Sequence, residues 1–358
     1  MTSRLNRRAV IAALPAAVTA AGCKGHAQEP SVSGPIPPLK MVAPFPVGTC
    51  VSTGYFADPA LTALVLQNFS QVTPEWEMKM EAILKDDGGF DFTRSDAIAN
   101  FAGQHSLRLH AHTLVWYAQK PPAFERIDGN RTAFANAYRN YIHAVAGRYR
   151  GRAVSWDVVN EAVTDDGSAY RDCLWSRNLG MDYIPEAYHL ARAADDRALL
   201  FLNDYNLESN PKKRATFLRL AESLLKAGAP LQGLGTQTHL DINLAPGMVT
   251  TAMRDLASLG LPIHVSELDV STRVGRFDMA SATDKSLRQA RLVHEVVAAF
   301  MALPPQQRFA ITTWGARDSD SWLQHGPNPP GVDKPLLFDA QGRPKQAAAA
   351  FVAAATGR

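Results

Sequence analysis

Eight short apolar runs, separated by longer stretches with helical spacing, constrain this chain more than any other feature. The runs cover residues 46–50, 69–73, 107–115, 154–160, 198–203, 231–238, 262–268 and 309–313, and the stretches between them include 131–149, 184–194, 211–227 and 284–301. Apolar runs of this length suit strands buried on both faces, and apolar positions recurring every three or four residues suit the helices that cover them. Strands alternating with helices predict a parallel sheet with crossover connections. The chain has 358 residues, a length that alone would suggest two or three domains, yet no linker or break in composition divides it after residue 44. No Gly-rich phosphate loop follows the first run, as an open doubly wound sheet would favour. The α/β pattern therefore predicts one closed (β/α)8 barrel over residues 44–358.

The segment before the barrel reads as an address. Arg7-Arg8 precedes an uncharged apolar stretch over 9–22 that is too short to span a bilayer as a stable helix. Asn6-Arg7-Arg8-Ala9-Val10-Ile11 resembles a twin-arginine export signal. Ala20-Ala21-Gly22-Cys23 resembles a lipoprotein processing site that lacks the usual branched first residue, whereas Gly25-His26-Ala27 would serve soluble release. Both readings, with a signal over 1–27, predict export, to the periplasm, the outer membrane or the medium. Cys23 is the one candidate membrane attachment. Residues 28–43 are rich in Pro, Gly and Ser and read as a tether. The net charge of +3 invites a nucleic-acid partner, but residues 1–40 hold five basic residues against Glu29 alone. The barrel itself is near neutrality, which excludes a polyanion partner. Cys50 and Cys173 are the only cysteines beyond the leader. They can pair in an oxidising compartment, although a large core does not require it.

In a barrel of this kind, polar residues just beyond the strand C-termini are the catalytic candidates. Seven of the eight runs end that way. The second leads into Thr73-Pro74-Glu75-Trp76-Glu77-Met78-Lys79, and the third carries His110, His112 and Trp116 with Gln119 beyond. The fourth ends in Trp156-Asp157-Val158-Val159-Asn160-Glu161 and the fifth in Asn203-Asp204-Tyr205-Asn206. Gln237-Thr238-His239, Glu267-Leu268-Asp269 and Trp314, with Arg317, Asp318 and Trp322 beyond, complete the set. Glycosidic cleavage needs one carboxyl to protonate the leaving oxygen and another to attack the anomeric carbon. Glu161 and Glu267, on the fourth and seventh runs, can face each other across the barrel mouth. Two other readings compete. His110 and His112 alternate onto one face of a strand, as in barrel metallohydrolases, with His239 and Asp318 as further ligands; that motif belongs on a first strand rather than a third. A non-catalytic carbohydrate-binding barrel would have lost one carboxylate, and both are present.

Trp156–Glu161 together with Ser266-Glu267-Leu268-Asp269-Val270, and the blocks 73–79, 112–119, 202–206, 233–239 and 313–323 in that order, resemble glycoside hydrolase family 10, the retaining endo-β-1,4-xylanases. The resemblance implies Glu161 as acid/base and Glu267 as nucleophile. Asn160 would hold the sugar 2-hydroxyl, and His239 would bond the nucleophile with Asp269 behind it. Glu75, Lys79, His112, Gln119, Gln237, Trp314 and Trp322 would line the sugar subsites, and Tyr205 the leaving-group side. It implies a monomer acting on xylan or xylo-oligosaccharides without a cofactor or metal. Glu267 must stay ionised, which donors such as His239 favour, while Glu161 must arrive protonated. Lys79 has an alternative partner in Glu75, four residues earlier. Two positions depart from the family pattern. Trp76 stands where an Asn usually contacts the glycone sugar, and Tyr117 where a His usually follows the Trp.

Overall fold

The structure is a computed structural model, described over residues 35–273, 278–325 and 331–357. The expected export signal, 1–27, and residues 28–34 of the expected tether lie outside the described residues. Among the described residues nine strands form: β1 Val47–Val51, β2 Gln71–Pro74, β3 Arg108–Trp116, β4 Ala153–Asn160, β5 Leu199–Asp204, β6 Gly233–Thr236, β7 His239–Asp241, β8 Ile263–Ser271 and β9 Arg308–Thr313. All pairings between them are parallel, and the order β1-β2-β3-β4-β5-β6-β8-β9 closes on itself through β9 and β1. Eight strands thus make a closed (β/α)8 barrel, and β7 adds only at the mouth, along the end of β8. The sixth apolar run, 231–238, holds β6 alone; Thr238, at φ 59°, lies at its end, and β7 begins just beyond, at His239.

Helices cover the wall for the reasons their sequence gives. Helix Arg131–Arg148 buries Phe134, Tyr138, Tyr141, Ile142 and Val145, one stripe at three- and four-residue spacing. The Asn130 side chain accepts the Ala133 N–H and starts it. Asn210 and Pro211 start Pro211–Lys226, and a Ser281/Asp284 capping box starts Ala282–Met301. Such caps each stabilise by about 1 kcal/mol. None of the helices among the described residues is long and apolar enough to cross a membrane.

The expected start of the domain needs correction. Leu39–Val42 is a helical turn within the stretch assigned to the tether, and Leu39 is fully buried in the core. Its N–H also reaches Asn68 Oδ1 at 3.4 Å, on helix Pro59–Asn68. An apolar side chain that finds such a seat orders the residues around it. Cys50 and Cys173 are buried and unpaired.

Inside the barrel, Phe201 and Phe309 pack as a plug with centroids 4.6 Å apart and rings tilted by 50°. Nearer the mouth the filling is polar: His110, Ser155, Asp157, His264 and Thr312 are all essentially inaccessible. Glycines make room for this filling. A Cβ on Gly235 would lie 2.3 Å from Asn203 Oδ1, so any larger residue there would displace that amide.

Candidate active site

Backbone hydrogen bonds continue from the strands into the mouth and fix the candidate residues. Glu161 N–H donates to Asn203 C=O at 2.8 Å, Gln237 N–H to Asp204 C=O at 3.0 Å, and Glu267 N–H to Gln237 C=O at 3.1 Å. Only β5 and β6 separate β4 from β8. The two glutamates are therefore less than half the barrel apart, not on opposite sides. Glu161 has φ 59°, a left-handed conformation that costs a non-Gly residue about 1–3 kcal/mol and persists only where its surroundings impose it. Asn206 and Thr238 share this conformation at neighbouring strand ends.

The two carboxylates receive different partners. Glu161 Oε2 accepts from Trp116 Nε1 at 2.7 Å, and Oε1 accepts from Gln237 Nε2 at 2.8 Å and Asn160 Nδ2 at 3.0 Å. Glu267 Oε1 accepts from Asn203 Nδ2 at 2.9 Å, and Oε2 lies 3.4 Å from His239 Nε2. Asn203 Nδ2 also reaches Asn160 Oδ1 at 2.9 Å, and its own Oδ1 accepts from Ser266 Oγ at 2.8 Å. A continuous amide bridge, Asn160 to Asn203, thus joins the surroundings of one carboxylate to those of the other.

Electrostatics act on the Glu267 carboxyl and its neighbour His239. Burial alone would raise Glu267, but the His239 bond and the charges of His112, His239 and Lys79 outweigh it and hold the carboxyl below its ordinary value. Burial would likewise lower His239, yet Asp269, 2.9 Å from Nδ1, and Glu267 raise it from 6.5 to about 10. His239 therefore stays cationic at neutral pH. His239→Gln removes that charge, so Glu267 should protonate at higher pH. The acidic limb of kcat/KM on an activated aryl glycoside is then expected to move upward in pH, while an unchanged limb would contradict this assignment.

A cleft of about 630 Å³ gathers Glu75, Trp76, Lys79, His112, Asn160, Glu161, Tyr205, Gln237, His239, Glu267, Trp314 and Trp322. Glu77, fully buried, accepts from Thr53 N–H at 2.8 Å and pairs with Arg94 at 3.2 Å. That anchor leaves Glu75, Trp76 and Lys79 to face the cleft. Lys79 makes no ion pair with Glu75; its ammonium lies among indoles, 4.8 Å from the Trp116 centroid, 5.7 Å from Trp76 and 5.9 Å from Trp314. Asp269 stands behind the cleft wall and accepts from Trp322 Nε1 at 2.9 Å. Tyr205 lies on the buried Lys213 ammonium, 3.4 Å from its ring centroid, and Lys213 pairs with Asp204 at 2.7 Å.

Gln119 does not line the cleft, contrary to expectation. It is buried beneath the rim, where its Oε1 accepts the Glu81 N–H at 2.6 Å. The ligand set of the metallohydrolase reading is not assembled either. His110 Nε2 and His112 Nδ1 both reach Asp157 Oδ2, at 2.9 and 2.8 Å, while Asp318 pairs with Lys345. With Nδ1 turned to Asp157, His112 presents Nε2 to the cleft. Sequence reasoning missed Asn203 and undervalued Trp116. Asn203 begins the polar strand end Asn203–Asn206, a visible signal, but its reach to Glu267 depends on the absence of a Cβ at Gly235.

The comparisons agree with this geometry. The model of glycosyl hydrolase family 10 matches residues 39–354. Endo-1,4-beta-xylanase B of Paenibacillus barcinonensis is 34% identical over 311 residues, 84% of this chain and 92% of that protein. An endo-1,4-beta-xylanase of Geobacillus stearothermophilus is 35% identical over 301 residues, covering 80% of this chain and 89% of its own. The solved structure of a thermostable mutant of a xylanase from Cellvibrio japonicus superposes with a TM-score of 0.82 at 34% identity, covering 89% of this chain and all of that one. A family match that starts at Leu39, where the buried core also starts, makes the conclusion direct: this chain belongs to glycosyl hydrolase family 10.

Proposed function

We propose that the protein is an endo-1,4-β-xylanase that cleaves xylan with retention of configuration. One observation carries this reading: two buried glutamates, on β4 and β8, share one indole-lined cleft and are held by separate sets of donors. In the first step Glu267 attacks the anomeric carbon while Glu161 gives its proton to the glycosidic oxygen, so the bond to the leaving sugar breaks as the glycosyl-enzyme bond forms. In the second step Glu161 takes a proton from water, and the resulting nucleophile displaces Glu267 from the anomeric carbon. Neither step requires a cofactor. The cationic His239 and the Asn203 amide favour the ionised nucleophile, and Asn160, between the two carboxylates, is positioned for the sugar 2-hydroxyl. The flat faces of Trp314 and Trp322 suit pyranose C–H surfaces. The twin-arginine-like leader supports export, with Cys23 or cleavage after Ala27 deciding between an anchored and a released monomer.

A product profile on xylo-oligosaccharides beside gluco-oligosaccharides tests the reading. Efficient cleavage of the xylo series alone is expected; equal efficiency on the gluco series would overturn the substrate assignment. The same assay exposes Trp76, which is 39% exposed and faces the cleft. An indole cannot supply the amide acceptor usual there, which weakens direct bonding to the glycone sugar by roughly 0.5–1.5 kcal/mol. Trp76→Asn should shift the cleavage pattern on short oligosaccharides and leave turnover of activated aryl substrates nearly intact. Identical products and efficiencies in mutant and parent would reduce Trp76 to rim packing.

A further inference from the structure

We propose that Arg171 is a positioning residue that ties the backbone of Glu161 to the surface carrying the leaving sugar. The inference rests on the acid/base reading of Glu161 given above. Arg171 Nε donates to the carbonyl of Glu161 at 3.0 Å. Its Nη2 donates to Tyr205 Oη at 2.7 Å and to Asp165 Oδ1 at 2.6 Å, and the Tyr205 hydroxyl bonds Asp165 in turn. The guanidinium also stacks 4.0 Å from the ring centroid of Tyr117, the residue that replaces the usual His. One planar group thus holds four elements at once: the left-handed peptide of Glu161, the Tyr205 platform, the loop carrying Asp165, and the end of β3.

The need for such a group follows from the backbone. Glu161 sits at φ 59°, and its N–H is held from β5 by Asn203 C=O. The chain leaves at once into a loop, closed by an antiparallel bridge between Val163 and Tyr170 and by Arg171 N–H on Ala162 C=O at 2.8 Å. Arg171 holds the carbonyl side of the Glu161 residue. Without it the peptide after Glu161 gains freedom to rotate, which swings the carboxyl relative to the glycosidic oxygen. Arg171 is only 11% exposed and touches neither carboxylate, so it acts through Glu161 and Tyr205. Its fork matches this task because one nitrogen reaches the carbonyl while another reaches the phenol.

The test measures kcat/KM for Arg171→Ala, Arg171→Lys and Glu161→Ala on xylo-oligosaccharides and on an aryl xylobioside with a good leaving group. Arg171→Ala is expected to lose on the order of 10²-fold on the oligosaccharides, the cost of a misplaced proton donor. On the aryl substrate, which needs little protonation, it should stay within about threefold of the parent. Free guanidinium should recover part of the oligosaccharide loss, and Arg171→Lys should fall between Ala and the parent. Equal losses on both substrates, or a loss that neither guanidinium nor Lys reduces, would overturn the proposal. Should Arg171→Ala fail to fold, Arg171→Lys carries the same comparison. If Glu161→Ala is leaving-group dependent and the Arg171 variants are not, the positioning role alone falls. If Glu161→Ala itself shows no such dependence, the acid/base reading falls and this inference with it.

Discussion

Replacing Glu267 by Ala is expected to lower kcat on every xyloside, activated or not, by on the order of 10⁵-fold or more. No other group can take its place. Asp269 is turned toward His239 and Trp322, and Glu161 is held on the other side of the amide bridge by Trp116 and Gln237. The loss should be independent of the leaving group, because bond formation to the anomeric carbon is removed for all substrates alike. The fold should survive, since His239 keeps Asp269 and Asn203 keeps Asn160 and Ser266. Steady-state kinetics on an oligosaccharide and an aryl glycoside, beside a thermal melt, check both halves. Retention of more than about one per cent of parental turnover would move the nucleophile elsewhere.

Glu161→Ala is expected to behave differently. On oligosaccharides, whose leaving sugar needs a proton, kcat/KM should fall by about 10²–10⁴-fold, the usual worth of a positioned general acid. On aryl glycosides with good leaving groups kcat/KM should change far less. For those substrates the slow step becomes hydrolysis of the glycosyl-enzyme, because Glu161 is also the base that activates water. Both kcat and KM should then drop together as the intermediate accumulates. A series of aryl xylobiosides of graded leaving-group acidity measures this directly. A flat dependence across the series would remove Glu161 from the proton-transfer role.

Most of the barrel was legible because its strands are buried on both faces. The run at 107–115 is offset from the observed β3 by one residue at each end, and the run at 154–160 starts one residue after β4 does. The 231–238 run misled at its end because apolarity does not report φ: β6 stops at Thr236, and the left-handed Thr238 separates it from β7. Leu39 was lost in a Pro-rich context whose composition outweighed one core side chain. Glu161 and Glu267 were picked out by the chemistry of their strand ends, and Trp314 and Trp322 by the family resemblance; the structure gathers all four in one cleft. What sequence could not give was the wiring between them. The reach of Asn203 to Glu267 depends on Gly235, and the burial of Gln119 depends on a backbone N–H of Glu81 that no motif announces. Arg171 lies ten residues past Glu161, in a loop whose return to the strand end exists only once it folds.

The central claim is that Glu161 and Glu267 carry out a double displacement, as carboxyl pairs about 5–5.5 Å apart do. Proton NMR of the first product released from a xylo-oligosaccharide, recorded before the anomers equilibrate, tests it most directly. The account predicts the β-anomer first, with the α-form appearing only at the rate of spontaneous mutarotation. An α-anomer as the initial product would mean a single displacement by water and would contradict the assignment of Glu267 as nucleophile.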